Sequence, residues 1–173
     1  MPRIRRLQAS DWRLLREVRL EMLKDTPMAY VESLEAARRQ TDTQWQERAA
    51  AMSGDSSFTL VADSGQDGSK LCALMRVVLK HPQDPEKPLQ AMLISVYVAP
   101  GHRGLGLADE LLKEACKAAA EELSAGSMEL GVHEENSRAL AFYRRHGFET
   151  TGAGRPYPQD TSKRELTMQR RLP

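Results

Sequence analysis

The sequence predicts a mixed α/β (α+β) fold, a central sheet of about seven strands with helices on both faces, in the order β-α-α-β-β-β-α-β-α-β-β. Three observations predict it. Apolar residues recur at helical spacing up to about Ala51, run as strands from Phe58 to Val98, and then switch between the two patterns. Clusters rich in Gly, Pro, Asp and Ser mark most of the switches. A chain of 173 residues suffices for one well-buried core and is short for two, so residues 1–173 read as a single domain.

Pro2–Leu7 reads as an extended opening strand anchored by Ile4. Ser10 can cap a first helix, in which Leu14, Leu15, Val18 and Met22 share one face. Thr26-Pro27 ends it, because a residue before proline is pushed out of the helical region. A second helix is expected from Thr43, where Thr43-Gln44-Trp45-Gln46 has the form of a capping box. Phe58–Asp63 and Lys70–Lys80 are strands joined by the turn Ser64–Ser69, and three prolines make His81–Pro88 a stiff exposed loop. Leu89–Val98 is a third strand, Leu105–Leu123 a long helix, Met128–His133 a strand and Ser137–His146 a helix stopped by Gly147. Glu149–Thr151 and Arg164–Leu172 complete the sheet, with Gly152–Ser162 between them as a loop.

Charge and cysteine content exclude several classes. Lys+Arg 25 against Asp+Glu 24 leaves a net charge of +1, so no global field recruits nucleic acid or an anionic membrane. Cys72 and Cys116 lie in apolar segments without metal-ligand or redox spacing, which makes them buried thiols and leaves no metal site. With no secretion signal and no long apolar run, the expected location is the cytoplasm.

The most informative stretch is Val96-Tyr97-Val98-Ala99-Pro100-Gly101-His102-Arg103-Gly104-Leu105-Gly106-Leu107-Ala108-Asp109, a strand that turns through three glycines into an amphipathic helix. Glycines let successive N–H groups converge, and a helix N-terminus adds partial positive charge, which together suit a phosphate or pyrophosphate. The same glycines would also serve a plain strand-to-helix turn. A Walker loop is excluded, since no Gly-Lys-Ser/Thr follows. A dinucleotide fingerprint would need glycine where Asp109 stands, although Glu134 could imitate its ribose-binding acid.

Arg103-Gly104-Leu105-Gly106-Leu107-Ala108 resembles the R-x-x-G-x-G/A signature of the GNAT superfamily of N-acetyltransferases. Leu130-Gly131-Val132 followed by Asn136, Ala139, Tyr143 and Gly147-Phe148 is similar to the family's second motif, and the two cover Leu89 to Phe148. This resemblance implies a bulged strand, with Val96, Tyr97 and Val98 pairing with the pantetheine arm of acetyl-CoA. Arg103, Gly104, Gly106, Leu107 and Ala108 would donate backbone N–H groups to the pyrophosphate. Asn136 would cap its helix, bind the coenzyme arm, or do both, and Tyr143 matches the general acid that protonates the departing thiolate.

The implied reaction is direct attack by a primary amine of a small molecule or peptide on the thioester, without metal, nucleic acid or membrane. Many relatives are homodimers. The strand Leu89–Val98 lacks the glutamate that many relatives use as base, which leaves Glu32, Glu35, His133 or a water. Arg155, Pro156, Tyr157 and Pro158 could wall the acceptor site, and Asp160 or Glu35 could meet a cationic acceptor. Two other functions stay open: a CoA-binding module without catalysis, favoured by the missing glutamate, and a dinucleotide-dependent oxidoreductase.

Overall fold

A computed structural model describes residues 1–80 and 85–173. The predicted loop His81–Pro88 therefore lies outside the described residues over its first half, and Pro85–Pro88 is exposed. The elements are β1 (Arg3–Arg6), α1 (Trp12–Asp25), α2 (Leu34–Arg38), α3 (Asp42–Ala51), β2 (Ser57–Ser64), β3 (Lys70–Lys80) and β4 (Leu89–Val98). They continue as α4 (Leu107–Leu123), β5 (Ala125–His133), α5 (Ser137–Arg145), β6 (Glu149–Tyr157) and β7 (Asp160–Arg171). Seven strands hydrogen-bond in the order β1-β2-β3-β4-β5-β7-β6, which is the mixed sheet the sequence predicts.

The predicted elements are found, with local corrections. Leu7, 2% exposed, anchors the start of the chain, whereas Ile4 is only partly buried. Ser10 caps nothing. A 3₁₀ turn over Ala9–Asp11 precedes α1, and the Gln8 N–H donates to Asp11 Oδ2 at 2.8 Å. The capping box of α3 sits two residues earlier than expected. Thr41 Oγ1 accepts from the Gln44 N–H, and Gln44 Oε1 accepts from the Thr41 N–H. The helix α2 is an addition: its five residues are too short to show a period, and Ser33 caps it. The expected loop Gly152–Ser162 is instead a β6–β7 hairpin closed at Tyr157↔Asp160. Its Gly and Pro residues signal a break, but β6 is an edge strand, where Pro156 leaves no ladder donor missing.

The chain forms two compact units. One comprises Met1–Val78 and Ser95–Ala115. In it β1 pairs antiparallel with β2, and β2 with β3 from Ser57↔Val78 to Ser64↔Lys70. Its core joins Leu15, Val18, Met22 and Leu23 of α1 with Trp45 and Ala49 of α3, packed with Val61, Leu74 and Tyr97. Trp45 is fully buried, the largest side chain so enclosed. Burial of such apolar surface, rather than helix propensity, holds short helices like α3 in place.

The other unit comprises Leu79–Ile94 and Cys116–Pro173. Here β4 and β5 run parallel from Leu89↔Ala125 to Met92↔Glu129, and β7 pairs antiparallel with both β5 and β6. Ala91, Leu93, Met128, Leu130, Val132, Leu140, Phe148 and Met168 are buried in it. Cys72 and Cys116 are buried free thiols, as expected.

Gly147 ends α5 as the sequence predicts. With φ +81° it lets its N–H reach Arg144 O and the Phe148 N–H reach Tyr143 O, both at 3.0 Å. These two bonds form a Schellman motif. A Cβ at Gly147 would meet only Arg170, at an ordinary 3.7 Å, so the demand is on the backbone. Gly147→Ala should therefore lower unfolding stability by about 1–2 kcal/mol, measurable by urea titration, with no change in secondary-structure content.

Candidate active site

The Gly-rich turn supplies open backbone donors. Gly104 and Gly106 have φ +74° and +82°, conformations that only glycine adopts freely, so α4 starts at Leu107 and not at Leu105. A Cβ at either glycine would meet nothing within 4 Å. Gly104 and Leu105 are exposed, Gly106 and Ala108 are half-buried, and Leu107 is buried. Among the described residues, no acceptor is found for the N–H groups of Gly104, Leu105, Gly106, Leu107 or Ala108. The Glu110 amide of α4 closes onto the turn, donating to Gly106 O at 3.1 Å. Arg103 differs: its N–H donates to Pro100 O at 3.3 Å. Its side chain reaches back, with Nε donating to Val98 O at 2.8 Å and Nη2 paired with Asp25 at the end of α1.

Strand β4 is irregular where the resemblance expects a bulge. Ser95 has φ +53°, one of two non-glycine residues in the left-handed region among the described residues, and it breaks the extended run just before Val96. The Tyr30 hydroxyl donates to Val96 O at 2.8 Å, and burial pushes its pKa up to about 12, so it remains a donor. Tyr97 points into the core, 4% exposed. Val96 and Val98 thus flank a core residue, and each has a carbonyl already engaged by one side chain, Tyr30 and Arg103 respectively.

Behind β4 lies a polar network absent from the expected site. Arg19, 8% exposed, donates from Nε to Glu32 Oε2 at 2.8 Å and from Nη1 to Ser95 Oγ at 3.4 Å. Arg48 donates to both oxygens of Glu32 at 2.9 Å, and Gln40 Nε2 donates to Oε1 at 3.2 Å. Burial pushes the Glu32 carboxyl up, but the hydrogen bonds from Arg48 and Arg19 outweigh it and hold its pKa below the ordinary glutamate range. Glu32 is therefore an anion held between two arginines, and a poor base. Glu35 is exposed and pairs with Arg39 one turn on. Asp160 is exposed and accepts from the Ser162 N–H and hydroxyl.

The remaining two predicted residues are Asn136, just before α5, and Tyr143 within it. Asn136 Oδ1 accepts from the Ala139 N–H at 3.1 Å, so Asn136 is the helix cap. Tyr143 is 7% exposed, with its ring edge-on to Phe142 at 5.2 Å and Phe148 at 5.7 Å. His133 Nδ1 accepts from the Glu135 N–H at 3.1 Å, and its ring stands T-shaped against Tyr157 at 4.5 Å. Among the described residues, no group of three or more His, Cys, Asp or Glu side chains is arranged to hold a metal ion, and no helix is long and apolar enough to cross a membrane.

The sequence profile of the acetyltransferase (GNAT) family matches residues 15–148. The chain belongs to that family. Solved structures agree on the fold. The acetyltransferase of the GNAT family from Streptococcus pneumoniae matches with TM-score 0.76 over 100% of both chains, at 20% identity. The PaiA N-acetyltransferase of Thermoplasma acidophilum, in complex with coenzyme A, matches with TM-score 0.72 over 99% of both chains, at 20% identity. The yncA protein of Salmonella typhimurium, with its cofactor acetyl-CoA, matches with TM-score 0.75 over 100% of this chain and 95% of that one, at 19% identity. GNAT membership sets aside the dinucleotide-dependent oxidoreductase.

What sequence reasoning missed in this GNAT chain is the arginine network, although a signal was present. Arg19 stands between the apolar residues Val18 and Leu20, and Arg76 interrupts the apolar run Leu71–Leu79. Charges inside apolar periods mark polar work in a core. Glu32→Gln should cost about 2 kcal/mol at neutral pH, since partial exposure discounts what a fully buried pair would lose. A carboxyl with a depressed folded-state pKa stabilises above its unfolded pKa and loses that contribution as pH falls through the folded value. The deficit of Glu32→Gln should accordingly shrink in acid, below the ordinary glutamate range, in denaturant titrations repeated across pH.

Proposed function

We propose that the 173 residues act as one N-acetyltransferase domain, moving an acetyl group from acetyl-CoA to the primary amine of a small molecule or peptide. The observation that carries this reading is the row of N–H groups from Gly104 to Ala108, at the start of α4, that have no acceptor among the described residues. A diphosphate is the natural occupant of such a row, because it accepts several hydrogen bonds and its charge matches the helix dipole. Gly104, Gly106, Leu107 and Ala108 would hold it, with Leu105 as a fifth donor. Arg103 would serve through its side chain, which fixes the turn against Val98 and Asp25.

Val96, Tyr97 and Val98 would hold the pantetheine arm beside the left-handed Ser95. The thioester supplies an acyl carbon open to a neutral amine and a sulfur that must leave. Tyr143 would give the leaving sulfur its proton, and Asn136 would fix the start of the helix carrying it. The amine's proton would pass to water: β4 carries no acid, Glu32 is bound to two arginines, and His133 Nδ1 is taken by a backbone N–H. That shortage of bases favours a second reading, a CoA-binding module without transferase activity.

Acetyl-CoA at a hundredfold excess over its Kd should stabilise the chain by about 2.7 kcal/mol, a rise in Tm of roughly 5 °C or more, while NAD gives none. An unmoved Tm would sink the coenzyme site. Release of CoA with a panel of amines separates enzyme from binder. In that assay Tyr143→Phe should reduce kcat by about a hundredfold and leave acetyl-CoA affinity unchanged. Loss of coenzyme binding would give Tyr143 a structural role instead.

A further inference from the structure

The network behind β4 holds more positive charge than its acid balances. Arg19 and Arg48 share the single carboxylate of Glu32 and rest on aromatic rings, Arg19 at 5.2 Å from Tyr30 and Arg48 at 4.9 Å from Trp45. Arg76 joins them from β3. It stands opposite Thr59 in register, two residues from Leu74, which stands opposite Val61. Val61 and Leu74 belong to the core made with α1 and α3, so strand alternation turns Arg76 to the same face. Burial, then the charges of Arg48 and Arg19, lower the Arg76 pKa, and no acid opposes them. Among the described residues Arg76 has no ion-pair or hydrogen-bond partner, and its Nε is buried. Trp45 Nε1, in the helix that carries Arg48, is a second buried N–H without an acceptor.

A half-buried guanidinium without an anion lowers stability, and a fold retains such a group where a ligand completes it. The ligand's place is indicated by Arg19, which touches Ser95, and by Tyr30, which holds the carbonyl of Val96. Through Arg19, the arginine cluster therefore adjoins the stretch of β4 proposed above to hold the pantetheine arm, where an acceptor must come. We propose that Arg76, backed by Arg48 and Arg19, receives a carboxylate borne by the amine acceptor, which makes the substrate an amino acid or similar anionic amine. The planar fork of arginine suits a carboxylate through paired N–H donors. The inference rests on the acetyl-transfer reading of the site.

The test uses product-side probes, so that it reads binding whether or not turnover is seen. Thermal unfolding of the full chain, with and without coenzyme A, is followed with N-acetylglycine, N-acetylalanine or N-acetylmethionine, each against its primary amide. At least one acid should raise Tm by about 2 °C or more while its amide does not. Arg76→Met should raise the unliganded Tm, because an unpaired charge is removed, and abolish the acid-specific shift; Arg76→Gln should also abolish it. Equal shifts for acid and amide, no shift with any acid, or a shift that survives both substitutions would overturn the proposal. So would a weakened coenzyme A shift in Arg76→Met, which would assign the cation to the coenzyme's phosphates. The absence of any coenzyme A shift in the native chain would be a separate failure, that of the acetyl-transfer reading.

Discussion

The reach of one arginine back towards the preceding strand fastens the Gly-rich turn before α4. Arg103 leaves the turn, bonds the carbonyl of Val98 and pairs with Asp25 at the end of α1. Two glycines in the left-handed region on one side, and a tethered side chain on the other, leave the backbone little choice. The N–H groups from Gly104 to Ala108 are left without an acceptor among the described residues. Preorganised donors of this kind bind an anion without first breaking bonds within the protein.

The arginine network serves the neighbouring strand in the same way. A left-handed serine inside a strand is strained, and such a conformation persists only when its surroundings impose it. Here Arg19 touches the Ser95 hydroxyl, and Tyr30 pulls on the next carbonyl. Glu32 neutralises part of the charge that this arrangement brings into the core and ties α1, the segment before α2, and α3 to one point. The residues that hold Ser95 and Val96 in place are thus the ones proposed to meet the acceptor.

Much of this was legible beforehand. Helices and strands with strong periods, such as α1, β3 and β4, lie within a residue or two of their expected bounds, because apolar spacing and core burial are one phenomenon seen twice. The Gly turn was legible because a positive φ leaves a residue signature. Caps were less so: several Ser and Thr residues near α1 and α3 could have capped them, and only the placement of the first apolar turn chooses among them. The β6–β7 hairpin was hidden by Gly152, Gly154 and Pro156, which break a central strand but are tolerated on an edge, and by Pro158 in its turn. The Glu32 network was illegible as a unit, since its members lie far apart in the chain and only folding brings their charges together.

Edge strands carry one further consequence. β6 ends the strand order with exposed residues along nearly its whole length, yet it offers a poor template for another chain. Pro156 has no N–H to give, and two register shifts kink the ribbon. At the opposite end, β1 is four residues long and three of them are arginines, so a like-charged copy would be repelled. Both ends of the strand order are thus poor templates for backbone pairing with another chain.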